Sequence, residues 1–532
     1  MTSIKSLFDS MINLDAKALK APDIVEQTFS IYPETVLACL DYFEDSIDDH
    51  LIKNKRSQLS LLFNEAFTSL RYKVDNQDVH AQNILVRLHD ALKRVFRVIG
   101  IEKQMIITHA LHDSKLPTPE LDSDTNAFDT SVLKKMPDIS PQLPALLDQM
   151  RRDGGLNTPF ELFDFLIGQI QLQPLEIQCA LINELVTAKN AFIQDVGVFM
   201  LLHPKKAIRQ MVPFIWIDNF VKNTAQISPI SLRRFIVIRN WLPHSERASI
   251  DSLIQQIRKT KIMPAPHPAS KITKLISSTV DGAGVQFFLF ETKAKNQRTI
   301  AGFLVKEGIG IREPFVVHKA HADEFSSMIN HHSLPSKSVS TTYTSKLVAH
   351  FISVGQEKNH IPEPLFLEIA ELFGVQQWLP QPIDPMTEIN RIKEQENLDT
   401  NDPILIDQAI KYSAAWTETT DFSESWFETG ERVNSIVIEA VETHSKMQAN
   451  ALDTLSKITT RALMKDDLLN KWIFILTRML LWHRSKSIKG EDWKYFLVIA
   501  EMLLQGHPVE DIPLMQEITK RSVAHSVQWQ RI

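Results

Sequence analysis

"SSTVDGAGVQFFLFETK", residues 277–293, departs from the sequence on either side of it. Most of the chain carries apolar residues at three- and four-residue spacing, the signature of amphipathic helices. Here Asp281-Gly282 and Gly284 instead precede a run of aromatic and aliphatic residues. Two readings compete: a glycine loop that cradles phosphate, or a tight turn in a small sheet. A phosphate cradle needs a helix N-terminus directly after the glycines, and a P-loop adds Lys and Ser/Thr. A strand-like run follows instead, and the loop lacks that Lys and Ser/Thr. Asp-Gly is a strong hairpin signal, so the stretch reads as a turn entering a strand.

The neighbouring runs agree. "SKITKLISST" (270–279), "RTIAGFLVKEG" (298–308) and "IGIREPFVVHK" (309–319) are rich in Val, Ile, Phe and Thr, with "AKNQ" and the glycines 308 and 310 between them. Five of the fifteen glycines fall between 282 and 310, so this region alone leaves the helical composition. The pattern predicts an antiparallel sheet of three or four strands over 271–318, with Asp281 and Gly282 in its first tight turn. In "VQFFLFE", Phe287 and Leu289 point one way and Phe288 and Phe290 the other. A strand apolar on both faces needs a cover on each. "HADEFSSMINHH" (321–332) supplies one through Phe325 and Met328.

At 532 residues the chain exceeds what one core organises. The expected organisation is an N-terminal helical domain (1–112), a polar linker (113–143), short helices (144–265), the sheet with its covering helix (271–332) and a C-terminal helical domain (343–532). Seven of the nine tryptophans lie at or after Trp378, which gives the last part its own aromatic core. The most apolar run, "LLNKWIFILTRMLLW" (468–482), holds Lys471 and Arg478 and is shorter than the ~20 residues that span a bilayer. It reads as a buried helix, and no membrane insertion is expected. Asp9 and Asp15 interrupt any N-terminal signal sequence, and two isolated cysteines, Cys39 and Cys179, fit a reducing, cytoplasmic setting.

Within 144–262, helices restart after Pro174, Pro204 and Pro229. Proline suits the first turn of a helix, where its missing N–H is no loss. In "HPKKAIRQMV" and "SPISLRRFIV" an arginine follows five residues after the proline, at Arg209 and Arg234. The spacing resembles HEAT- or armadillo-type helical repeats, in which helix pairs stack into a solenoid. The fold class expected is therefore mostly α, with irregular HEAT-like repeats, a small antiparallel sheet and a C-terminal helical domain.

Charge is the strongest non-random feature. Residues 205–274 hold thirteen Lys or Arg against Asp218, Glu246 and Asp251, in a chain of net charge -6. Stacked repeats would align Lys205, Lys206, Arg209, Arg233, Arg234 and Arg239 as a solvent-facing stripe for an anionic partner. The competing reading neutralises them within the protein. The N-terminal segment to Asp49 carries ten acids and three bases, and 384–442 carries fourteen acids and four bases.

Other motifs point to ordinary helix faces, with partly buried histidines over 318–332 and a solvated acidic face over 384–442. His318, His321, Glu324, His331 and His332 offer imidazoles and a carboxylate, but His321 and His332 are eleven residues apart on a helix and cannot meet on one ion alone. "LHD" at His89-Asp90 and His112-Asp113 resembles the metal-dependent HD phosphohydrolases, without their further histidines in pattern. Glu439, Glu442 and His444 lack the paired Glu-x-x-His of a di-iron bundle. No cofactor and no metal are expected, and catalytic residues cannot be named. The expected function is a non-enzymatic binding or scaffold protein that holds a macromolecular partner on its repeat surface. The alternatives are a nucleic-acid-binding protein using the 205–274 segment, for which HEAT-like DNA glycosylases offer a loose likeness, and a metal-dependent hydrolase. Oligomeric state is not legible.

Overall fold

The computed structural model describes all residues except 1–2, 16–19, 77, 117–135, 138–142, 171–172, 269, 295–296, 322, 332–334, 375–377, 417–424, 431–432, 437, 440–450, 486–491 and 531–532. The chain is mostly helical, with one small antiparallel sheet and a helical C-terminal region. Two compact units divide it: Met1–Ser231 with Ser249–Ile262, and Leu232–Ala248 with Met263–Ile532. Most of the expected linker, 117–135 and 138–142, lies outside the described residues.

In the first unit, helices from Ile4 to Ser114 close around Phe8, Phe43, Phe63 and Phe67. Asp48 and Asp78 start the Asp49–Asp75 and Val79–Val95 helices by accepting the backbone N–H of Leu51 at 2.7 Å and of Ala81 at 3.0 Å. Short helices follow, among them Pro159–Ile170, Leu175–Thr187, Ala191–Phe199 and Lys206–Val221. Their starts track the prolines: Pro174 caps one helix and Pro229 opens another. Cys39 and Cys179 are buried and free, and burial pushes both thiols up to about 12.

The second unit holds the sheet. Its strands are β1 (Lys271–Ser278), β2 (Val285–Ala294), β3 (Gln297–Lys306), β4 (Gly310–His318) and β5 (Ser336–Ser338), in the order β4-β3-β2-β1-β5. Every pairing is antiparallel. Four strands lie where the sequence predicts them, and β5 is an addition. The first turn spans Asp281–Gly284, closed by the Gly284 N–H to the Asp281 carbonyl at 3.0 Å, and the Asp281 carboxylate accepts the Val285 N–H at 2.7 Å. The left-handed residue is Gly284, at φ +74°, rather than Gly282. Gly282 is needed for a different reason, since a Cβ there would sit 2.0 Å from the Ser425 carbonyl oxygen.

Both faces of β2 are covered. On one, Phe287 and Leu289 join Ile276, Ile300 and Phe325, the last from the Glu324–His331 helix, with Met328 partly buried beside them. On the other, Phe288 meets Tyr343, Phe290 meets Phe373 and Phe303 meets Phe366, from the Thr341–Glu357 and Pro364–Phe373 helices. The apolar run at 468–482 falls in the Asp466–Arg484 helix, buried continuously from Trp472 to His483. Among the described residues, no helix is long and apolar enough to cross a membrane.

Candidate functional site

The six cations expected to form one solvent-facing stripe divide by type. Arg209 is 3% exposed and donates through Nη1 to the His203 and Pro204 carbonyls at 2.9 and 2.7 Å. It closes the turn before its own helix, and the imidazole of His203, buried beside it, is held down at about 3 by burial and by the nearby Lys205 and Arg209. Arg233 and Arg234 are 7% and 8% exposed and converge on Glu371. Arg233 Nη2 donates to Oε1 at 2.7 Å, Arg234 Nε to Oε1 at 2.9 Å and Arg234 Nη2 to Oε2 at 3.1 Å. Burial alone would raise the Glu371 carboxyl, but the two guanidiniums outweigh it and hold the group below the ordinary glutamate range. Arg239 and Lys205 are half-buried, and of the six Lys206 alone is exposed. The expected stripe therefore does not form. These arginines alternate with core residues of their helices, such as Ile208, Leu232 and Phe235, and their forked heads satisfy buried acceptors.

Exposed cations gather elsewhere in the second unit, at the open end of the sheet. Lys271 and Lys274 on β1 and Lys293 on β2 are exposed. Lys271 lies opposite Lys293, and Lys293 opposite Arg298 on β3. Directly opposed residues share a face, so this is a row of like charges that destabilises the pairing. Its resident counter-charge is Glu291, which accepts from Thr273 Oγ1 at 2.6 Å and from Arg298 at 3.4 Å.

Beside this row lies a groove of about 560 Å³. Its floor and walls come from the β1 edge (Ile272–Ile276), from Phe325, Ser326 and Ile329 of the Glu324–His331 helix, and from Ser338, Val339 and Thr341. The groove exists because the chain leaves the sheet early. β5 pairs with β1 only at Ile276–Ser278, and the Val339 N–H adds one bond to the Leu275 carbonyl at 3.1 Å. Ser340 then caps the Thr341–Glu357 helix by accepting the Tyr343 N–H at 3.1 Å, which turns the backbone away. The outer edge of Lys271–Lys274 has no strand neighbour among the described residues. A register shift between Ile272 and Lys274 marks a bulge at Thr273.

A second polar cluster is sealed. Arg478 is fully buried, and donates to the Gly284 carbonyl at 2.8 Å and to Gln286 Oε1 at 3.1 Å, with the Phe351 ring 4.8 Å from its guanidinium carbon. Burial lowers the pKa of Arg478. Burial also raises the carboxyls of Asp281 and Glu307 nearby, against the pull of the Arg478 charge. His350 is held at about 3 by burial and by the Arg478 charge. Gln286 Nε2 bridges to the Ser278 carbonyl and the Tyr343 hydroxyl at 2.8 and 2.9 Å. With Arg478 and Gln286 both at 0% exposure, this cluster ties the β1–β2 turn to the Asp466–Arg484 helix.

Among the described residues, the histidine motifs do not assemble. His318 pairs with Glu368 at 3.0 Å and His321 is exposed. His332, Glu442 and His444 lie outside the described residues, as does the His331 side chain. His112 reaches Asp164 at 3.1 Å rather than Asp113, which pairs with His109 at 2.9 Å. Among the described residues, no group of three or more His, Cys, Asp or Glu is placed to hold a metal ion. The open β1 edge escapes a reading of the sequence because it depends on a strand that stops after three residues, and a three-residue strand shows no alternation. The only local signal is Ser340, as a helix N-cap directly after "SKSV".

Residues 174–261 match the family described as Y4lR second domain, and residues 386–527 match the one described as Y4lR C-terminal helical domain. β1–β4 and the groove lie between the two matched stretches. No solved structure matches. Over 493 residues the chain is 22% identical to the uncharacterized protein y4lR of Sinorhizobium fredii (strain NBRC 101917 / NGR234), with 89% of this chain and 88% of that protein covered.

Proposed function

We propose that this chain is a non-enzymatic binding protein that holds a macromolecular partner, with 144–265 serving as a HEAT-like frame. The observation that carries this reading is the sheet edge left open beside the groove. An exposed backbone edge is a template for pairing with another chain, and a partner strand is one way to complete it. The cytoplasmic setting suggested by the two free thiols belongs to the same reading.

The test is recovery of the tagged full-length chain from its own cells, followed by native mass spectrometry. A protein in fixed molar ratio is expected. Recovery free of any partner, or with nucleic acid alone, overturns the reading. The nucleic-acid alternative now rests on Lys205, Lys206 and Arg239, because Arg209 and Arg234 are committed internally. It is tested by a salt titration of DNA and RNA affinity with a Lys205→Glu, Lys206→Glu variant. A slope lowered by ~0.7–0.9 for each phosphate no longer neutralised would support it.

A further inference from the structure

We infer that the groove beside β1 takes an extended, acidic peptide segment of a protein partner, which adds to the sheet as a strand along Lys271–Lys274. This rests on the binding reading above and names the chemistry of its partner.

The backbone argument comes first. A strand added antiparallel to β1 continues the line that β5 begins at Ser336–Ser338 and abandons at Ser340. Four residues of edge, at ~3.3 Å each, seat a strand of roughly 13 Å. Main-chain bonds supply affinity for any extended segment, and alternate side chains supply choice. Guest side chains on one face meet Phe325 and Ile329, bordered by Lys271 and Lys274. Those on the other face meet Leu275 and Val339.

Charge then selects the sequence. The lining carries one charged residue, Lys274, and no carboxylate. Its ammonium lies 4.8 Å from the centre of the Phe325 ring, at the groove's wall. Lys271 and Lys293 oppose each other at the same end of the sheet. Asp323 and Glu324 start the neighbouring helix and Glu291 lies opposite Lys274 on β2, and all three are outside the lining. A guest with carboxylates on the lysine face would relieve the repulsion in the row, whereas a basic guest would add to it.

The test uses short labelled peptides and the full-length chain. One alternates valine with glutamate, one alternates valine with lysine, and a third is the acidic peptide N-methylated along its hydrogen-bonding edge. The acidic peptide is expected to bind, the basic one not, and N-methylation to abolish binding. Lys274→Glu, an exposed site that leaves the fold intact by its melting curve, should weaken the acidic peptide by about tenfold. Equal binding of acidic and basic peptides, retention after N-methylation, or an unchanged affinity for Lys274→Glu overturns the inference. Displacement of the acidic peptide by self-association of the chain, read by sedimentation, assigns the edge to a second copy and also overturns it. If the peptides fail while the native chain is still recovered with a stoichiometric protein, this inference falls and the binding reading stands.

Discussion

Arg233-Arg234 and Lys271/Lys274 carry equal charge within one basic segment, and they end in opposite places. The arginines turn inward onto Glu371 at 12% side-chain exposure, while the lysines stay in water at the rim of a groove. A guanidinium offers a planar fork of donors and is weakly hydrated, so two of them can share one buried carboxylate. An ammonium is strongly hydrated and carries its charge on a flexible stem, so it stays at the surface unless paired. Net charge along a segment therefore says little about where the charge faces. The type of cation and its phase against the apolar positions say more.

The sharpest way to break this contrast is Glu371→Gln. Removing the carboxylate leaves two buried guanidiniums uncompensated, a loss of about 3–5 kcal/mol in urea unfolding. A loss below about 1 kcal/mol would show that the arginines are solvated after all. Acid probes the same knot. Because the folded Glu371 is held below its ordinary value of 4.5, its contribution is complete above pH 4.5 and is lost as the pH falls through the lower folded value. His203 and His350 act in the same direction over a higher window. Both are held at about 3 against an ordinary 6.5, so the unfolded chain takes up their protons first and stability declines as pH falls from 6.5 towards 3. A melting temperature flat from pH 6.5 to 4 would contradict the burial of both imidazoles.

Arg209→Met tests the inward role at a second site, where the guanidinium donates to backbone carbonyls. The buried His203 carbonyl and the partly buried Pro204 carbonyl lose their donor, and a loss of about 1–3 kcal/mol is expected in the same unfolding measurement. Gly282→Ala should cost a similar ~1–3 kcal/mol through its clash with the Ser425 backbone. The smallest effects belong to the lysines. Lys274→Ala should stay within about 0.5 kcal/mol of the parent. Lys271→Glu should gain a few tenths at low salt by pairing with Lys293, and the gain should vanish as salt rises.

The sheet is readable because its signals are local. The glycines of the first turn and the double-faced aromatic run of β2 sit within ten residues of one another. The tight turn falls where the sequence puts it, while its left-handed position does not. Asp-Gly favours Gly282 by composition, and the Ser425 backbone, far along the chain, sets what Gly282 must avoid. The inward arginines are unreadable for the same reason. Glu371 is 137 positions from Arg234, and nothing near "SLRRFIV" announces it. A count of charges treats each as free to reach solvent, whereas Leu232, Phe235 and Ile238 fix the core face of that helix with the arginines at its border. The groove falls between these cases: the Ser340 cap is visible, but that it ends a strand is not.

Arg478 has a consequence in time. The Gly284 carbonyl that it satisfies lies 194 residues earlier in the chain. At ~5–20 residues per second, a ribosome adds that stretch in roughly 10 to 40 s. Throughout that interval the β1–β2 turn and Gln286 are made but lack the Arg478 donor, and the Gly284 carbonyl and Gln286 Oε1 keep only their longer bonds from the Glu307 N–H and the Tyr343 hydroxyl, each at 3.3 Å. The last third of the chain is thus a late-arriving part of the sheet's own core. Chains that stop before Arg478 should emerge with the strands present but unlatched, in the form most open to proteases and to chaperones.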